Sequence, residues 1–169
     1  MARYYLAEQV ALQHSSSIDY AREFLFNALN IGEEMLISGA EVSRVEDSVR
    51  RICLAYGAEK VDVFTITSAI VVTVYSPMFG AVTQTRRITS TKYDLFKLAR
   101  LNALSRRICE EMPLFEVVED ELEEIRTGTP QYSSAAMLGI YALVSASFAL
   151  FFGGSWLDAA ASAVIGLFL

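Results

Sequence analysis

Residues 135–152 read AAMLGIYALVSASFALFF, eighteen uncharged residues interrupted only by Ser145 and Ser147. At 1.5 Å per residue an α-helix of this length is roughly 27 Å long, close to the hydrocarbon thickness of a bilayer. A core helix of that length usually keeps a polar face. This one has none, so the sequence predicts a transmembrane helix over 133–153. The charges agree: all fourteen Lys and Arg residues and nineteen of the twenty acids lie at or before Arg126, and only Asp158 follows. The mean hydropathy of +0.35 therefore averages a charged part and an apolar part. The position of the apolar run excludes a signal peptide.

A second apolar run, 156–169, follows after Gly153-Gly154-Ser155. A spanning helix needs about twenty residues. The run therefore reads as the start of a second transmembrane helix, truncated, in a piece of a longer multi-span protein. Gly139, Ala142, Ala146, Ala149 and Gly153 recur at spacings of three and four and form a small-residue seam, which lets helix backbones approach closely in lipid. Asp158 reads either as an intramembrane carboxylate or, with Ser155, as a capping box. Arg126 is the only base near the span, so the positive-inside rule gives little direction.

Working back toward the N-terminus, residues 1–17 end in His14-Ser15-Ser16-Ser17 and read as a loosely attached tail or short helix. Over 18–38, Ile18, Ala21, Leu25, Ala28, Leu29, Gly32, Met35 and Leu36 keep helical spacing. Ser38 with Glu41 fits a capping box that opens a second helix. Its stripe is Val42, Val45, Val49, Ile52, Cys53 and Tyr56, and Gly57 supplies the stop. Three β-branched stretches follow, at 60–67, 69–76 and 81–89, the first two joined by a tight hairpin. A helix is predicted from a cap near Thr91–Asp94 to Met112, ended by Pro113, and a short acidic one over 115–126. The expected class is α+β: two helices, a three-stranded antiparallel meander and two helices over 18–130, then the transmembrane helices.

Composition limits the chemistry. A net charge of −6 argues against nucleic acid as a partner. Cys53 and Cys109 form no CxxC pair, which excludes a Cys-based zinc site and a disulfide scaffold. His14 is the only histidine, so no metal site or catalytic triad can be built on histidine. No phosphate-cradling or nucleophile-elbow motif occurs, and no cofactor is expected. Catalysis would rest on carboxylates alone, and the chain is read as a non-enzyme.

Two polar groupings remain. In 39–48 (GAEVSRVEDS), Glu41 and Arg44, and Arg44 and Asp47, are three apart and can pair on one helix face. With Glu46 they read either as a solvated face or as the lining of an interface or solute path. On the predicted 92–112 helix the stripe runs Leu95, Leu98, Ala99, Asn102, Ser105, Ile108, Cys109 and Met112, so two polar side chains interrupt it. Asn102 would have to find a partner, for instance backbone at a strand or helix end. Arg86 and Arg87 either complete an anion site with Arg106 or blunt an edge strand.

With Gly32-Glu33, the run 38–47 (SGAEVSRVED), Tyr56-Gly57-Ala58, 83–88 (TQTRRI) and 102–106 (NALSR), the sequence resembles the N-terminal part of the threonine/serine exporter family, including its split, YjjP-like members. The resemblance covers about 18–169. It implies a bacterial inner-membrane secondary exporter with 18–130 as a cytoplasmic domain, further spans, and an oligomeric assembly in the lipid bilayer. Its cargo would be a small polar solute: threonine, serine or, in the split form with a second, smaller membrane subunit, a dicarboxylate such as succinate. It places Glu41, Arg44, Glu46, Asp47, Arg87, Asn102, Ser105 and Arg106 in motif positions. The competing expectation is a membrane-anchored regulatory or assembly domain with no solute site of its own.

Overall fold

The computed structural model describes residues 2–128 and 133–168, with side chains from position 16 onward. The side chain of His14 lies outside the described residues. The chain divides into two units, Met1–Thr129 and Pro130–Leu169. Six helices and one three-stranded antiparallel sheet are described.

In the first unit, α1 (Ala2–Ile37) is followed by α2 (Val42–Ala55) and the strands β1 (Lys60–Ile66), β2 (Ala69–Ser76) and β3 (Gly80–Arg87). Helices α3 (Leu95–Glu111) and α4 (Phe115–Thr127) complete it. The predicted tail is not separate at the level of the backbone, because α1 runs unbroken through positions 15–17. Serine costs a helix only a few tenths of a kcal/mol, and no glycine or proline interrupts there.

Helix α1 is the centre of the unit, touching α2, α3, α4, β2 and β3. That explains why more than one face is apolar: Phe24 and Ile31 are fully buried beside the predicted stripe of Ala21, Leu25, Ala28, Leu29 and Met35. Gly32 permits a close approach of α2, since a Cβ there would stand 2.7 Å from a Val49 methyl. The strands form a meander in the order β1-β2-β3. Its register aligns Val61, Val74 and Val82, then Val63, Val72 and Gln84, on one face. Period-2 alternation therefore turns one apolar face to the core.

Two predicted caps are corrected. Ser38 does not open α2: Gly39, at φ +90°, ends α1, with the Ala40 N–H bonding Met35 O at 2.9 Å. Glu41 is the N-cap of α2 without a side-chain bond, and Ser38 Oγ is buried without a partner. For α3 the cap is Asp94, whose Oδ1 accepts the Lys97 N–H at 2.9 Å. The buried stripe of α3 is also rotated from the predicted one. Leu101, Leu104, Ser105 and Ile108 are inside, whereas Leu95 and Met112 are exposed.

A carboxylate holds three helices together. Glu34, 8% exposed, accepts from Lys97 Nζ of α3 at 2.6 Å and from Arg126 Nε of α4 at 2.7 Å. The neighbouring Glu33 and, one turn earlier, Asn30 hold Arg86 of β3 at 3.2 and 2.8 Å. Tyr56 donates to Pro113 O at 2.7 Å, which fixes the end of α2 to the α3–α4 connection.

The second unit is a helical hairpin, α5 (Ser134–Phe151) and α6 (Trp156–Gly166). Ser133 caps α5, and Ser155 with Asp158 forms a capping box on α6, so Asp158 serves as a cap residue. Gly153, at φ +87°, makes the turn between them. Ala142, Ala146 and Ala149 of the predicted seam are half-buried, and in this unit α6 is their only neighbour helix. Gly139 has open space around it. Gly166 lies against Tyr141 O and Ser145, where a Cβ would come within 2.8 and 2.5 Å. Among the described residues only α5 is long and apolar enough to cross a membrane, by length and composition; α6, at eleven residues, is shorter than a span.

Candidate functional site

Helix α2 buries Val45, Val49, Ile52 and Cys53, and α3 buries Leu101, Leu104, Ser105 and Ile108. Beside each apolar stripe runs a polar one. On α2 it is Arg44, Asp47, Ser48 and Arg51; on α3 it is Asn102, Ser105, Arg106, Cys109 and Glu110. Both sets keep the three-and-four spacing that places side chains on one helix face. Because α2 and α3 pack together, these stripes converge on a cleft of ≈ 650 Å³. Glu41 and Ser43, at the start of α2, close one end.

Of the eight candidate residues from the sequence, six line this cleft: Glu41, Arg44, Asp47, Asn102, Ser105 and Arg106. Glu46 does not. Its carboxylate accepts the Thr65 N–H at 2.8 Å and ties α2 to β1. Arg87 is exposed on β3 opposite Ala69, and Arg86 is held by Glu33, so neither meets Arg106 in the cleft. The expected pairs Glu41–Arg44 and Arg44–Asp47 do not form among the described residues; Asp47 instead pairs with Arg51 at 2.9 Å.

Asn102 satisfies its amide within its own helix, donating to Leu98 O at 2.8 Å, rather than at a strand or helix end. Ser105 Oγ donates to Asn102 O at 3.1 Å. Both residues also line the cleft. Sequence reasoning did not single out Ser43, Ser48, Arg51, Cys109 and Glu110 as site residues. Their signal was available: 48 and 51 continue the 44–47 stripe by one turn, and 110 continues that of 102–106.

The two thiols differ. Burial pushes Cys53 up to about 12, and it is completely enclosed in the core. Cys109 borders the cleft and is also raised, first by burial and then by Asp47 and Glu110, with Arg51 opposing. Among the described residues no group of three or more His, Cys, Asp or Glu side chains is placed to hold a metal ion.

A smaller cleft between α3 and α4 is lined by Arg100, Arg107, Glu121 and Glu124. There Arg100 pairs with Glu124 at 2.7 Å and Arg107 with Glu121 at 2.5 Å, so its charges are used in joining the helices. The α2–α3 cleft, with charged groups left over, is the better candidate for a ligand.

Comparison with known proteins gives one family. The model of the threonine/serine exporter family, ThrE, matches residues 27–169, from the middle of α1 through the hairpin. No curated protein and no solved structure matches the chain. The family match spans well over half of the sequence, including both polar stripes of the cleft and the uncharged helix α5. The chain belongs to the threonine/serine exporter family.

Proposed function

We propose that this chain provides the N-terminal unit and the first span of a bacterial inner-membrane secondary exporter, with the first unit facing the cytoplasm. The cargo on this reading is a small polar metabolite, threonine or serine in the first instance. One observation carries it: in a chain of an exporter family, α5 is an uncharged eighteen-residue helix whose Leu138, Ile140, Leu143, Val144 and Phe148 all stand exposed. Apolar surface of that extent requires lipid or a partner. The hairpin then lies in the bilayer against further helices, contributed by other copies or by a second, smaller membrane subunit. The absence of a nucleotide-binding motif from the sequence favours coupling to an ion gradient.

The test is efflux. Cells expressing the complete gene product, with and without its membrane partner, are loaded with threonine, serine or succinate. Export of threonine or serine that disappears on deletion is the expected result. Export of succinate alone would support the dicarboxylate branch instead. No export of any of the three, with the protein present in the membrane, would refute the exporter reading.

A further inference from the structure

The α2–α3 cleft carries an inference about where the first unit receives a solute, and it rests on the exporter reading for the choice of cargo to test. Three cationic and three anionic side chains line the cleft: Arg44, Arg51 and Arg106 against Glu41, Asp47 and Glu110. The Asp47–Arg51 pair, at 2.9 Å, cancels one of each. Two guanidinium groups and two carboxylates remain, and among the described residues none of the four makes an ion pair or a side-chain hydrogen bond.

That remainder is electrically neutral overall but locally polarised. A dianion such as succinate would meet two cations and also two acids, and like-charge contacts oppose its binding. A solute with one carboxylate and one ammonium group satisfies both signs. A guanidinium fork matches the carboxylate, and a carboxylate matches the ammonium. Ser43 and Ser48 add hydroxyl groups that can bond a polar side chain, and the volume lies in the ordinary range for small-molecule sites of about 300–1,000 Å³.

We infer that the α2–α3 cleft is a binding site for a free zwitterionic amino acid, with Arg44 and Arg106 receiving its carboxylate and Glu41 its ammonium group. Because the lining is open to water, binding is weak and fast, with half-saturation in the millimolar range. The cleft's lining lies wholly within the first unit.

Cys109 borders the cleft and Cys53 is sealed in the core, so the molecule carries its own reporter. The full chain in detergent micelles is titrated with threonine, serine, succinate or ethanolamine at matched ionic strength. The rate of Cys109 alkylation by N-ethylmaleimide is read at each concentration, with unreactive Cys53 confirming that the fold is intact. Saturable protection by threonine and serine, absent with succinate and ethanolamine, is expected. Arg106→Gln and Glu41→Gln should each weaken it about tenfold, the loss of one charge-assisted contact. Arg50→Gln, on α2 outside the cleft, should leave it unchanged. Protection by succinate equal to that by threonine would overturn the proposal in favour of an anion site. Protection by ethanolamine alone would overturn it in favour of a cation site, and no protection by any probe would overturn it outright. Threonine efflux with an unprotected Cys109 would remove this site and leave the exporter standing. Protection without efflux would do the reverse.

Discussion

Replacing Glu34 tests whether the buried carboxylate is what joins α1 to α3 and α4. Each of its oxygens holds one cation, Lys97 at 2.6 Å and Arg126 at 2.7 Å. Side-chain exposures are 11% for Glu34, 16% for Lys97 and 34% for Arg126, so the two contacts differ in weight. Removing one partner of a buried pair costs about 3–5 kcal/mol when the other is left uncompensated. Lys97 approaches that case, reduced by the reach of its flexible stem toward water. Arg126 keeps solvent and has Glu123 at 3.7 Å, so its share falls in the surface range of about 0–1 kcal/mol. Glu34→Ala should therefore destabilise the first unit by about 2–4 kcal/mol. Glu34→Gln retains the volume and one acceptor and should cost about half as much.

The single tryptophan, Trp156, sits in the hairpin and cannot report on this unit. Exposure of Cys53 to a thiol reagent in urea can, because that side chain is 0% exposed in the fold. With a slope of about 2 kcal/mol per molar urea, the midpoint should fall by about 1–2 M for Glu34→Ala. A double-mutant cycle with Lys97→Met should give a coupling above about 1 kcal/mol. A midpoint shift below about 0.3 M, or additive losses in the cycle, would refute the reasoning.

Gly32→Ala should destabilise by about 1–2 kcal/mol despite alanine's better helix propensity, because the new methyl would stand 2.7 Å from Val49 Cγ2. Adding Val49→Ala should recover part of that loss in the same urea titration, and no recovery would place the clash elsewhere. In the native protein at pH 8, Cys109 should alkylate more slowly than a free thiol and accelerate as pH rises, since its raised value leaves less thiolate. Cys53 should stay silent under the same conditions until the fold opens, as mass spectrometry of the labelled chain would show.

Local pattern was enough for much of the fold. The α2 stripe and the three strands follow from side-chain period alone, because each element packs one face. Ser38 misled because a serine three residues before an acid fits a capping box, while the left-handed turn at Gly39 makes it the end of α1 instead. The face of α3 was read one step round: Ser105 and Ile108 of the expected stripe are buried, but Leu101 and Leu104 share that burial, while Asn102 and Cys109 are only half-buried. For the candidate site, local spacing gave each half of the cleft but not their meeting. Nothing in 41–51 says that it faces 102–110; that follows from α1 drawing both helices onto its surface. Glu46 and Arg86 show the converse, since motif polarity does not tell a ligand contact from a strut. Glu34 was passed over for the same reason: its partners lie at positions 97 and 126.

Among the described residues, the core of the first unit is built from positions between Ile18 and Ile125. That has a consequence for the order of events during synthesis. Translation at about 5–20 residues per second leaves roughly 2–8 s between completion of this core's sequence and the last residue of α6, and N-terminal domains fold as units in such intervals. The hairpin has no comparable grace period, since its apolar surface is an aggregation hazard from the moment it leaves the ribosome. The two units therefore place opposite demands on the cell: the first needs only time, and the second needs a bilayer within reach.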